Sequence, residues 1–253
     1  MKRFPVYAIA ISILIVVFFQ IEGSAQKPKE IRGAEKCAAD LKECDDKFQK
    51  NGCGSNDFDK ELNQHKNRTT VPAAFKDVKY ADMIRMKEPK KWDHHSDDRG
   101  TLETTLIDGT VVKEGEPIRV YGYLLKARRE GAELCNCKLD ADGEAGQLLT
   151  DIHMVITNKK GTPETRSFTA EITPRVRANA ANAKNLIWSS IQNYEGEFVR
   201  VSGYLMLDTE HLHESPPVRV KSWEVHPVIK FEVCSVAAQN CSPTGTAGWR
   251  TIN

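Results

Sequence analysis

Two ten-residue stretches, 116–125 (EPIRVYGYLL) and 197–206 (EFVRVSGYLM), agree at six of ten positions, and each holds a glycine inside a β-rich run. A glycine there weakens a flat strand and permits a bulge or sharp bend, the device by which a small barrel closes on itself. Duplication and a shared bend motif explain the match equally well, and both give strongly coiled barrel strands. Around these segments the pattern predicts strands over 117–129, 148–157, 167–173, 198–207 and 218–233, with 148–157 alternating strictly between apolar and polar. The Ala-rich run 178–194 predicts a helix, so the order is β-β-β-α-β-β, mainly β with some α.

The residues ahead of this unit read differently. Cys37, Leu41, Cys44 and Phe48 fall at 3-to-4 spacing and predict an amphipathic helix over 35–50, stopped by Asn51-Gly52. A second helix is predicted over 57–66, and the charged, Pro- and Gly-punctuated stretch 86–100 reads as a connector. The plan is therefore a helical extension and connector (26–100), a barrel (101–234) and a tail (235–253).

The chain begins as an export signal does. Lys2-Arg3 precede a run of 14 residues, 6–19, almost free of polar breaks, and Gly23 and Ala25 supply the small residues at the exit. Fourteen residues of helix span about 21 Å against a hydrocarbon core of roughly 30 Å, which favours cleavage after Ala25 over a retained anchor. The first cysteine, Cys37, stands too far from the apolar run for a lipid anchor, and no later stretch is apolar enough to span a membrane. Cleavage removes Lys2, Arg3 and Glu22 from 36 basic and 35 acidic residues, leaving the two signs equal. Such a chain has no global field drawing it to nucleic acid or anionic lipid. The expected location is secreted or periplasmic.

In that compartment Cys37, Cys44, Cys53, Cys135, Cys137, Cys234 and Cys241 are disulfide candidates, with one left over. On one continuous helix Cys37 and Cys44 lie about 10.5 Å apart along the axis, too far for a single bridge. Cys53 can fold back onto either. Cys135 and Cys137 are too close in sequence to pair comfortably, so one of them is expected to reach Cys234 or Cys241. Cys-x-Cys alone is a weak zinc signal.

With the bent strands around Gly122 and Gly203 as the first and fourth and the helix between the third and fourth, the segment 110–234 resembles the OB-fold, a five-stranded Greek-key barrel. Cys135-Asn-Cys137, Asp151-Ile-His153 and Trp223-Glu-Val-His226-Pro227 resemble a set carried by exported bacterial proteins with such a domain. That resemblance implies fold and export and assigns no activity.

Within 148–157, Ile152, Met154 and Ile156 share one face, so Asp151 and His153 share the other, about 7 Å apart. The apolar face is expected to fill the barrel and the polar face to line a ligand groove. In an OB barrel the face of strands two and three carries ligands, flanked by the loops after strands one and four. Here those loops are 130–147, with Glu133, Cys135 and Cys137, and 208–216, with Asp208, Glu210, His211, His213 and Glu214. In the fifth strand Val225, Ile229 and Phe231 are core candidates, which leaves Glu224 and His226 opposite. Asp151, His153, Glu224 and His226 are thus the candidate ligand-binding or metal-ligating residues, since imidazole and carboxylate suit zinc, manganese or iron. The third strand starts the two pairs roughly 10 Å apart at normal strand spacing, a gap that barrel curvature or long side chains would have to close. Solvation is the simpler reading of His211, His213, His94 and His95, and a strand bend that of His226 before Pro227.

Lys126, Arg128, Arg129, Arg175, Arg177, Arg200, Arg219 and Lys221, with Tyr121, Tyr123, Tyr204 and Trp223, are the raw material of a single-strand groove, but the balanced charge and the export signal argue against nucleic acid. Phosphate-loop, Gly-x-Ser-x-Gly, His-Glu-x-x-His and Cys-x-x-Cys motifs are absent. Asn67-Arg-Thr69 and Asn240-Cys-Ser242 match the glycosylation acceptor pattern. The leading expectation is an exported, non-enzymatic OB-like protein binding a small-molecule, saccharide or protein ligand, with no cofactor. The alternatives are a divalent-metal-dependent hydrolase of phosphodiesterase type and a structural envelope protein.

Overall fold

Alternating strands supply one apolar face each, and those faces close around a common core. The computed structural model describes residues 36–53, 57–93, 96–213, 215 and 217–253. The export signal at 1–25, the polar stretch 26–34, His94, His95 and Glu214 lie outside the described residues.

The strands are β1 (Lys76–Asp77), β2 (Glu103–Thr105), β3 (Val111–Lys113), β4 (Pro117–Arg129), β5 (Ile152–Thr157), β6 (Phe168–Ile172), β7 (Phe198–Leu207), β8 (Trp223–Cys234) and β9 (Trp249–Ile252). Five of them form a closed barrel. β4 pairs antiparallel with β5, β5 with β6, and β7 with β8, while β6 runs parallel to β8. The antiparallel β4–β7 ladder, from Pro117↔Tyr204 to Tyr123↔Phe198, completes the ring. The two echoing segments therefore lie side by side. β1 adds to β4 in parallel, β9 adds to β8, and β2 and β3 form a separate hairpin.

The glycine reading holds most clearly at Gly203. The β7–β8 register shifts on both sides of it, and a Cβ there would stand 2.1 Å from the Pro227 carbonyl oxygen. Backbone, not a flexible side chain, fills that space. Gly203→Ala is therefore expected to lower stability by about 1–3 kcal/mol, read as a denaturant-midpoint shift; an unchanged midpoint would show that β7 relaxes freely there.

Inside the ring Ile118, Val120, Leu124, Ile152, Met154, Ile156, Phe168, Ala170, Val199, Val201, Leu205, Val225 and Phe231 form the core. The apolar side of β5 thus faces inward, as alternation requires. β5 itself starts at Ile152, because 143–149 forms helix α4 of the series α1 (Leu41–Phe48), α2 (Asp57–Lys66), α3 (Tyr80–Met83), α4 (Gly143–Leu149), α5 (Pro174–Ala178) and α6 (Trp188–Ile191).

Two helix expectations need correction. The helix read at 35–50 is shorter: Asp40 caps α1, its carboxylate accepting from the Glu43 amide, so Cys37 stands before the helix. The continuous helix read at 178–194 is replaced by α6 and two short 3-10 turns, because α5 ends at Ala178 with Asn179 as its C-cap and the Asn182 side chain caps a new turn at the Lys184 amide. The segment read as a tail contributes β9 to the sheet.

The disulfides are Cys37–Cys53, Cys44–Cys137 and Cys234–Cys241, and Cys135 is free. The expected link from Cys135 or Cys137 to Cys234 or Cys241 is thus not made. Cys137 instead joins α1, in a small apolar cluster of Ala38, Cys44, Cys137 and Leu139 against Leu41, Phe48 and Leu149. Cys234 and Cys241 close the turn between β8 and β9. Among the described residues no helix is long and apolar enough to cross a membrane.

Candidate metal centre

The outward faces of β5, β6 and β8 carry polar side chains that meet beneath a cover. On β6 the alternation that sends Phe168, Ala170 and Ile172 into the core leaves Thr169 and Glu171 outside. On β8 it leaves Glu224 and His226 outside. Asp151 sits immediately before β5. Although β6 lies between β5 and β8, His226 Nε2 is only 3.3 Å from Asp151 Oδ2. Side chains leaning across the short middle strand thus close the gap between Asp151 and His226.

The rest of the imidazole is held by carboxylates. His226 Nδ1 is 3.1 Å from Glu224 Oε1 and 3.4 Å from Glu171 Oε2. Glu224 is in turn gripped by Arg219, whose Nη1 donates to Oε2 at 3.0 Å while Nη2 binds Asp208. Asp151 Oδ1 accepts from Asn136 Nδ2 at 2.9 Å. Asp151 Oδ2 and His226 Nε2 face each other, but neither has a well-directed hydrogen bond among the described residues, although both atoms are buried.

His153 takes a different place. Its Nδ1 is 3.0 Å from Glu130 Oε1 and its Nε2 3.0 Å from Thr169 Oγ1, and it keeps some contact with solvent. Of the four sequence candidates, Asp151, Glu224 and His226 come together and His153 flanks them. The expected ligand groove is corrected as well. Asp151 lies outside the hydrophobic core, yet it is fully buried, because the turn 134–136 and the end of α2 cover it. His211 binds Asp208 and His213 binds the Pro89 carbonyl, both away from this centre.

The cover is fixed at several points. A Cβ on Gly52 would stand 2.3 Å from the Leu134 carbonyl oxygen, so the 134–136 turn rests on that glycine. Asn67 Nδ2 donates to the Cys135 and Lys50 carbonyls, and Arg175 Nη1 reaches Asn67, Asn136 and the Cys135 carbonyl. Asn67 is fully buried by these bonds, which removes it as a glycosylation acceptor. At the cover's edge Lys66 Nζ lies 3.1 Å from Glu133 Oε2, which also accepts from the Cys135 thiol at 3.2 Å.

The electrostatics follow from burial and close charge. Burial works against an ionised Asp151, but His226, Lys66 and Arg177 outweigh it and hold the carboxyl below its usual range. Burial opposes a charged His226, yet Glu171, Asp151 and Glu224 raise its affinity for a proton well above an ordinary imidazole's. Glu171 is raised well above its usual range by burial, against the pull of His226, with Glu224, Glu133 and Asp151 adding to the rise. Burial, Glu133 and Asp151 push the Cys135 thiol up. The carboxylates thus hold protons on His226 and Glu171, with Lys66 as a further buried cation beside them.

Two groups bring three ligand atoms within 4.8 Å of one another: Asp151, Glu171 and His226, and Glu133, Cys135 and Asp151. Asp151 belongs to both. Glu171 was not among the sequence candidates, although the alternation of β6 places it between the two acid-x-His strands. Lys66 had no such signal, since it arrives from a separate helix.

Most of the arginines weighed for nucleic acid are engaged in ion pairs or carbonyl bonds within the chain. Arg128 pairs with Glu164, Arg129 with Asp140, Arg175 with Asp45 and Arg200 with Glu232, while Arg177 binds the Ile172 and Thr150 carbonyls. Trp223 is buried and donates to the Lys87 carbonyl. No known protein family matches this chain, and no curated protein matches it.

Proposed function

We propose that the chain is an exported, OB-like barrel protein whose role is to hold one divalent metal ion through Asp151, Glu171 and His226. The OB-like reading is supported by the ring order β4-β5-β6-β8-β7 and the parallel β6–β8 contact. Export is supported by the leader pattern at 1–25 and by the disulfides.

The observation that carries the metal reading is the pair of buried atoms, Asp151 Oδ2 and His226 Nε2, facing each other without a directed hydrogen bond. Two ligands about 2.0–2.1 Å from a tetrahedral zinc ion stand roughly 3.3–3.4 Å apart, and these atoms stand 3.3 Å apart. The far side of the ring agrees. A metal-bound imidazole usually donates its other N–H to a carboxylate, and Glu224, held by Arg219, occupies that place at His226 Nδ1.

Burial favours a resident ion over a hydrolytic one. A hydrolase needs an open position for water and substrate, whereas Asp151 and His226 are covered by the 134–136 turn and α2. The same cover argues against a saccharide or peptide lying on Asp151.

Elemental analysis of protein purified from zinc-supplemented medium tests this. The expected result is close to one equivalent of metal, lost in Asp151→Asn and His226→Ala and retained in His153→Ala. Metal-free, fully folded protein would overturn the proposal and leave His226, as an imidazolium, as the cluster's own cation.

A further inference from the structure

The 3-10 turn Gln49–Asn51 and the end of α2 form a groove of about 400 Å³, lined by Gln49, Lys50, Asn51, Gln64, His65 and Arg68. We infer that this groove binds a hydroxyl-rich small molecule carrying an oxyanion, of the sugar-phosphate or sugar-acid class. It shares no residue with Asp151, Glu171 and His226 and stands without the metal reading.

The charge of the groove centres on Arg68. Its guanidinium lies over the Tyr204 ring, 5.1 Å from the centroid, and the Tyr204 hydroxyl donates to the Thr70 carbonyl, so the platform is itself held. Gly115 makes room for it, since a Cβ there would stand 2.6 Å from Arg68 Nη1. The group is half-buried and fixed in place, yet no carboxylate among the described residues forms an ion pair with it. Burial lowers its pKa below the ordinary guanidinium value, and Glu114 opposes that only in part. Glu114 is already gripped by two Arg99 nitrogens and accepts from the Leu207 amide. A positioned guanidinium with no partner is a receptor for an oxyanion, which its fork takes in bidentate fashion. Lys50, exposed at the groove and likewise in no ion pair among the described residues, adds a second positive charge.

The remaining lining sets the body of the ligand. Gln64 Nε2 donates to Asn51 Oδ1 at 2.6 Å, which orients both amides and leaves Gln64 Oε1 and Asn51 Nδ2 for hydroxyl groups. His65 Nδ1 faces Glu114 Oε2 at 3.4 Å, and a proton there leaves Nε2 as an acceptor. No carboxylate and no hydrocarbon side chain is among the lining residues, so an apolar ligand finds no wall to rest on. The volume falls in the range of small-molecule sites, about 300–1,000 Å³, and exceeds what a bare ion fills. The groove is also preformed. Asn63 Nδ2 donates to the Asn51 carbonyl and Asn67 Nδ2 to the Lys50 carbonyl, which ties the turn to α2 just before the Cys37–Cys53 bridge.

The test is calorimetric titration of the full chain with glucose 6-phosphate, glucuronate, glucose and inorganic phosphate. Expected is saturable binding of one or both charged sugars with Kd below about 1 mM, and glucose weaker by about tenfold or more. The charged sugar that binds more tightly names the class. Arg68→Gln should weaken that binding by more than about tenfold, the loss of a charge-assisted hydrogen bond. Lys50→Gln should weaken it as well, and only the Lys50 backbone carbonyl serves the fold, so this variant reads charge alone. Failure of both charged sugars to bind, glucose binding as tightly as they do, or full affinity in both variants would overturn the site. Inorganic phosphate binding as tightly as the sugar phosphate would overturn the hydroxyl-rich ligand.

Discussion

Replacing Cys44 and Cys137 together with serine is expected to lower stability more than removing either other disulfide. The bridge spans 93 residues. A closed loop of that length restricts the unfolded chain by about 4–5 kcal/mol, against about 2 kcal/mol for a seven-residue loop. The Cys234–Cys241 bridge closes just such a short loop, 7 residues apart in sequence. For a chain of this size the loss should move Tm by roughly 10–20 °C. The bridge also joins the apolar cluster of α1 to the loop that covers the candidate centre, so its removal is expected to loosen the cover as well. Calorimetry of the two double-serine variants under oxidising conditions decides the matter. A larger drop for Cys234→Ser/Cys241→Ser would show that loop length is not what this fold draws on.

Arg200→Met should be nearly as damaging, for a different reason. Arg200 and Glu232 are register partners on β7 and β8, and both are buried. Arg200 Nε lies 2.8 Å from Glu232 Oε2 and Nη2 3.0 Å from Oε1, so the pair is bidentate. The third guanidinium nitrogen donates to the Ser242, Pro243 and Gly245 carbonyls, and the group packs over Trp249. Truncation leaves Glu232 buried with only Lys230 near it, and removing one member of a buried pair typically costs about 3–5 kcal/mol. Arg200→Met/Glu232→Leu removes the stranded charge and should recover most of that loss in urea unfolding. The Pro243 and Gly245 carbonyls lose their Arg200 donor as well, while Ser242 keeps Trp249 Nε1, so the 235–248 segment should become the first site of proteolysis in the single variant. A double variant as unstable as the single one would show that packing on Trp249, not charge pairing, is what Arg200 supplies.

The barrel was legible in this sequence because its information is periodic and local. Pro117–Arg129 and Phe198–Leu207 are strands as read, and alternation assigned Ile152, Met154 and Ile156 to the interior. The helical run at 178–194 was misread for the same reason: alanine content suggests a helix, whereas Asn179 and Asn182 end and restart the turns through side-chain bonds that composition does not display. At the candidate centre, alternation placed Asp151, Glu224 and His226 on outer faces. It could not give the distance between them, which depends on barrel coiling, nor their burial, which depends on α2 and the 134–136 turn arriving from elsewhere in the chain. Long-range arrivals of this kind also explain the disulfides. Nothing local distinguishes Cys135 from Cys137; which of them meets Cys44 is fixed by how the 134–136 turn seats on Gly52.

The short last strand bears on how one copy behaves toward another. β6 accompanies β8 only at Glu224 and Val225, which leaves the far half of β8 beyond its reach. β9 lies along that half, from Phe231↔Ile252 to Cys234↔Trp249. Uncovered, those amides and carbonyls would be a template for any extended chain nearby, the route by which sheet proteins join edge to edge. Four residues near the carboxyl end thus act as a guard against self-association, and the small loop that returns them is locked by its own bridge.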